Sequence, residues 1–130
     1  MKLAWVGIFG LLGVYLRFGV SLWWAKLGVF TFPYATFFIN ILGSFLIGIV
    51  YVLGVEKTGL PLSLTTGIIV GFLGGFTTFS SYCLETVRLI EQRLFLPALG
   101  YFVLSPAVGF FAVWGGIWLA RIAATQTALR

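Results

Sequence analysis

Four apolar runs, at residues of about 3–24, 33–53, 62–87 and 94–119, leave this chain little choice of fold. A hydrocarbon core about 30 Å thick is crossed by roughly 20 helical residues. Lipid offers no partner to an open backbone N–H or C=O, so each run is predicted to be a transmembrane helix. Only 8% of the residues are charged and the mean hydropathy is +1.12, whereas a soluble domain carries about a quarter charged residues. The joints are too short for a second domain, so residues 1–130 read as a single transmembrane domain of all-α class. Lys2 ahead of the first run imitates a signal peptide, but the run continues too far and no small-x-small site ends it; a retained first span is expected.

The third run carries Gly74-Gly75-Phe76-Thr77-Thr78-Phe79-Ser80-Ser81-Tyr82 in its interior. Each glycine weakens a helix by roughly 1 kcal/mol relative to alanine, and the threonine hydroxyls compete for backbone groups. Two readings are open. One is a helix broken mid-membrane, tolerated only where the freed backbone is buried in protein or lines a polar cavity, and therefore a candidate ion site. The other is a packing notch in an unbroken helix, with the threonines bonded to the preceding turn.

Polar residues inside the spans are few. Thr36, Asn40 and Ser44 follow i, i+4, i+8 spacing and share one face of the second span. The Asn40 amide, with two donor hydrogens and an acceptor oxygen, is costly to turn to lipid; it reads as a pore-lining group or as interhelical glue. Tyr101 and Ser105 are four apart on the fourth span and offer two hydroxyls to an anion or to a neighbouring helix. Phe79 and Tyr82, three apart, present ring edges that carry partial positive charge, or simply pack. Arg17 either snorkels to the headgroups or draws anions into a vestibule. Glu85 is expected to pair with Arg88 three residues on, and Pro106 to kink the fourth span. With no His, no Asp, no paired carboxylates and a single Cys at 83, nothing argues for an enzyme, a disulfide or a thiolate metal cluster.

The net charge of +5 comes from basic residues scattered singly, which suits headgroup anchoring rather than nucleic acid. With four spans, Lys2, Lys57, Arg121 and Arg130 fall on one side and Arg17, Lys26, Arg88 and Arg93 on the other. The tie sets no orientation. Either other signals decide topology, or the chain inserts both ways and opposite copies pair as an antiparallel dimer.

The run Gly71-Phe72-Leu73-Gly74-Gly75-Phe76-Thr77-Thr78-Phe79-Ser80-Ser81-Tyr82-Cys83-Leu84-Glu85-Thr86 closely resembles the third-helix signature of the Fluc (CrcB) fluoride channels. Gly13-Val14-Tyr15-Leu16-Arg17-Phe18 is similar to that family's first-helix arginine region, and Thr36-Phe37-Phe38-Ile39-Asn40-Ile41-Leu42-Gly43 to its second-helix Asn motif. Tyr101 and Ser105 sit where its fourth helix carries hydroxyls, so the resemblance covers all four spans in order. It implies an antiparallel dual-topology homodimer in a bacterial or archaeal cell membrane, exporting fluoride passively through two pores. It further implies Phe79 and Tyr82 on the pore wall, Asn40 as a fluoride donor, and Thr78 and Ser105 as hydroxyl partners. A structural sodium ion (Na+) at the dimer centre is implied too, held by backbone carbonyls that fall on Gly74 and Thr77. Two positions depart from the pattern: Tyr82 replaces a second phenylalanine, and Cys83 a serine or similar small polar residue. The tyrosine keeps the ring edge and adds a hydroxyl able to donate to the anion.

Neutral donors make physical sense for fluoride, because conduction needs sites favourable to enter yet easy to leave. A small proton-coupled multidrug or cation exporter is the alternative, but it requires an intramembrane carboxylate where substrate and proton compete. The first span has none, and Glu85 is near a span end. A non-transporting scaffold subunit and a paired-gene heterodimer complete the alternatives.

Overall fold

The computed structural model describes residues 2–28, 31–57 and 59–128; Arg130, counted above with the charges on one side, lies outside them. Helix α1 is Lys2–Leu27, and α2 is Tyr34–Tyr51, which continues into a wider π-helical turn at Val52–Glu56. Helix α3 covers 62–76 as Leu62–Thr66, a π-helical stretch Gly67–Leu73 and a last turn Gly74–Phe76. Helix α4 is Phe79–Glu91 and α5 is Phe95–Ala128. The described residues contain no strand, and four spans, Lys2–Leu27, Tyr34–Glu56, Leu62–Glu91 and Phe95–Gln126, are long and apolar enough to cross a bilayer. The protein is a multi-pass integral membrane protein.

The third span is interrupted, and the interruption falls on threonines rather than glycines. Gly74 keeps helical angles (φ −63°, ψ −36°), while Thr77 (φ −81°, ψ 160°) and Thr78 (φ −151°, ψ 115°) are extended. What Gly75 supplies is close approach to α1. A Cβ on Gly75 would stand 2.7 Å from the Gly10 carbonyl oxygen, and one on Gly13 would stand 2.2 Å from that of Phe72. Helix α1 therefore lies backbone to backbone along α3, the small-residue packing that membrane helices use in place of a hydrophobic driving force. Helices α2 and α5 meet in the same way, with Gly116 against the Phe45 carbonyl.

Helix α5 outruns the apolar segment that announced it. Arg121 binds Glu56 at the end of α2 through two contacts, one of them Nε to Oε2 at 3.0 Å. The charge is thus partnered, and the helix has no reason to stop there. It also passes through Pro106 without interruption. The α4–α5 turn closes as a Schellman motif: Leu94 N–H bonds the Leu89 carbonyl at 2.9 Å and Arg93 N–H that of Ile90 at 2.9 Å. Arg93 takes φ 60°, the left-handed position usually given to glycine. Leu89 and Leu94 then join Tyr82, Ala98 and Tyr101 in one cluster that fixes α4 against α5.

Candidate anion groove

The interruption strips backbone groups of their helical partners, and each has a visible fate. Thr78 N–H, which would serve the Gly74 carbonyl in an unbroken helix, bonds Asn40 Oδ1 at 2.8 Å. Asn40 Nδ2 in turn donates to the Thr78 carbonyl at 3.0 Å. The Asn40 side chain thereby pairs with the extended residue as a neighbouring strand would. Arg17 Nε donates to the Gly75 carbonyl at 3.0 Å, bringing a cation from α1 to the end of α3, where carbonyl dipoles converge. Thr77 Oγ1 donates to the Leu73 carbonyl at 2.8 Å.

Thr78 then starts α4. Its Oγ1 accepts from Ser81 N–H at 3.2 Å as an N-cap and donates to Ser81 Oγ at 2.9 Å. Phe79 stands in the first turn of α4 and is 77% exposed in the protomer. Gly43 makes room for the Thr77 side chain: a Cβ there would lie 2.2 Å from Thr77 Cγ2.

Between α2, α3, α4 and α5 this geometry leaves a groove of about 470 Å³. Asn40, Gly74, Thr77, Thr78, Phe79, Tyr82 and Ser105 all line it, together with Ser44 from the Asn40 stripe. None of the lining residues carries a formal charge. The Phe79 and Tyr82 ring centroids are 5.6 Å apart. Ser105 Oγ is buried and has no hydrogen-bond partner, although a helical serine has a carbonyl four residues back within reach.

Two of the expected residues are not on the lining. Arg17 approaches the break from α1 and binds Gly75. Tyr101 is fully buried, its ring centroid 5.2 Å from that of Tyr82 and its hydroxyl donating to Glu85 Oε2 at 2.7 Å. Thr36 Oγ1 donates to Glu85 Oε1 at 2.7 Å. Both Glu85 oxygens are thus taken, and the expected pairing with Arg88 does not form. A carboxylate inside an apolar span requires donors, and Thr36 and Tyr101 were the hydroxyls available to supply them.

For a sodium ion, the donor set is suitable in kind. The Gly74 carbonyl has lost its helical amide to Asn40, and the amide due to the Thr77 carbonyl, Ser81 N–H, is spent on Thr78 Oγ1. Carbonyl oxygens free of other donors are hard-cation ligands, but two from one chain fall short of a coordination shell.

The profile of the CrcB-like protein family (Camphor Resistance, CrcB) matches residues 4–117. A Pseudomonas syringae pv. tomato protein named fluoride-specific ion channel FluC is 40% identical over 117 residues, which is 90% of this chain and 94% of that protein. One of the same name from Pseudomonas putida strain F1 is 44% identical over 112 residues, covering 86% of this chain and 90% of its own. A third, from Syntrophotalea carbinolica, is 40% identical over 121 residues, covering 93% and 98%.

Proposed function

The chain belongs to the CrcB-like family, whose members are ion channels and not enzymes, and from that premise we propose that it is a fluoride channel conducting along the uncharged groove. The observation that carries the proposal is the groove's chemistry: Asn40, Thr78, Ser105 and the aromatic residues Phe79 and Tyr82 line it with no formal charge among them. Fluoride is small and strongly hydrated, so a pathway must offer replacement donors. A lysine or arginine in the wall would hold it too long to pass it on. Asn40 has one amide hydrogen left after binding Thr78, and Ser105 has its whole hydroxyl. Phe79 offers a ring edge.

Flow is passive in this reading, down the fluoride gradient, and relieves fluoride toxicity. The working unit is an antiparallel dimer of one gene product with two pores, and the break lies at mid-membrane. Its support is the open side of the groove, where Phe79 and Phe110 are 77% and 68% exposed. Gly74 and Thr77 would hold a sodium ion between the two copies, each copy giving two carbonyls; when bound, the ion supplies a fixed positive charge at the dimer centre. Fluoride-electrode recording of efflux from proteoliposomes, with chloride as the control, tests the function. Rapid fluoride release with chloride retained is expected; equal retention of both ions would overturn it. Labelling of an N-terminal tag from both sides of the membrane tests the dual topology.

A further inference from the structure

Tyr82 is the position where the wall of the groove carries an additional hydroxyl, and that hydroxyl does not point its proton at the groove. It donates to the backbone carbonyl of Phe102 on α5 at 2.8 Å. In an unbroken α-helix the Phe102 carbonyl would receive the amide of residue 106. Residue 106 is proline, inside α5, with no N–H to give. A carbonyl orphaned in this way must find another donor or remain unsatisfied away from water. The Tyr82 hydroxyl is that donor, arriving from a different helix twenty residues earlier in the chain. The ring is held besides by near-parallel stacking on Phe102, with centroids 6.4 Å apart, and by edge contact with Tyr101 at 5.2 Å.

We propose that Tyr82 and Pro106 form one unit, in which the tyrosine hydroxyl replaces the missing proline amide at Phe102 and so fixes the aromatic wall of the groove. Tyr82 is then a positioning residue rather than a hydroxyl donor to the anion. Its proton is committed to a carbonyl, and the bond sets the orientation of its ring and the distance between α4 and α5. Ser105, adjacent to Pro106 and on the opposite wall, is placed relative to Phe79 by the same tie. The consequence for conduction rests on the groove being the fluoride path, as proposed above; the bond itself does not.

The test is a double-mutant cycle with Tyr82→Phe, Pro106→Ala and the pair, purified as the full chain. Alanine at 106 restores the amide to Phe102, so removing the hydroxyl should then cost nothing. In the parent, Tyr82→Phe is expected to lower the unfolding midpoint in detergent by about 3 °C and fluoride efflux by about fivefold. In the Pro106→Ala background, whatever its own flux, adding Tyr82→Phe should change neither. Pro106→Ser carries the same amide and replaces the alanine variant if that one fails to fold. Equal losses in both backgrounds, or no loss in either, would overturn the proposal, since the hydroxyl would then act without reference to Phe102. The unfolding arm keeps its meaning even if the protein passes no fluoride, so failure of the coupling and failure of the channel reading are told apart.

Discussion

Asn40 and Thr78, 38 positions apart, exchange two hydrogen bonds of 3.0 and 2.8 Å between a side-chain amide and a backbone. The amide therefore has two duties: it closes the backbone at the break, and in the proposed pathway its remaining N–H serves the groove that Asn40 lines. Asn40→Asp separates them. The carboxylate still accepts from Thr78 N–H but sets a negative oxygen against the Thr78 carbonyl, costing about 2 kcal/mol of stability, and places a like charge in the fluoride path. Efflux from loaded liposomes is expected to fall at least tenfold. Undiminished flux would remove Asn40 from the path. Asn40→Ala leaves both backbone groups unpaired and should cost about 2–4 kcal/mol in unfolding.

Phe79 gives a cleaner separation. It is 77% exposed in the protomer, so little of the protomer's own stability rests on it. Phe79→Ile keeps an apolar side chain but removes the ring quadrupole. The unfolding midpoint of the folded chain should hardly move while fluoride efflux drops about tenfold. Full retention of flux would mean that the ring only packs.

The α1–α3 contact makes a prediction about fold rather than transport. A methyl at Gly13 would sit 2.2 Å from the Phe72 oxygen and 2.9 Å from the Phe76 nitrogen, both backbone atoms that cannot swing aside. Gly13→Ala is expected to destabilise the protein by about 3 kcal/mol. Gly19, on the same helix with open space around it, is the control, and its alanine variant should gain up to about 1 kcal/mol from helix propensity. Denaturation followed by α-helical circular dichroism would rank the two; similar values would contradict the packing seen here.

Much of this is legible in the sequence, because the signals are local. Bilayer-length apolar runs fixed the spans, and the i, i+4 spacing placed Asn40 and Ser44 together on one wall. The position of the break was not legible to the residue. Glycine propensity points to Gly74 and Gly75, but both keep helical backbone, with α1 packed closely on Gly75, and Asn40 captures Thr78 instead. That outcome depends on contacts distant in sequence. Helix spacing pairs Glu85 with Arg88 because it shows only neighbours on one helix, while the actual partners, Thr36 and Tyr101, come from α2 and α5. The tie from Tyr82 to Phe102 was hidden for the same reason, although Pro106 announced that a carbonyl four residues earlier would need a donor.

Arg93 closes α4 with φ 60°, a left-handed angle that costs a residue with a Cβ about 1 kcal/mol. The bonds of the Schellman turn are made by backbone alone, so the arginine side chain is not needed for them. Arg93→Gly is expected to raise stability by about 1 kcal/mol, and Arg93→Val to lower it by a similar amount. Unfolding of the two variants side by side measures the difference; a valine variant as stable as the glycine one would show that the turn has another conformation.

Ser105 offers the sharpest distinction between a structural hydroxyl and a working one. Its Oγ is buried without a partner, and such a group costs about 1–3 kcal/mol relative to one that is bonded. Alanine has nearly the same volume and nothing to satisfy. On folding energetics alone, Ser105→Ala should therefore leave stability unchanged or raise it by about 1 kcal/mol. If the hydroxyl serves fluoride passing through the groove, the same substitution should reduce efflux about tenfold, since the anion loses a donor. Stability and transport then move in opposite directions, a combination that general damage to the fold does not produce. A fall in both would mean that Ser105 has a protein partner in the assembled membrane form, and its role would be interhelical contact rather than conduction.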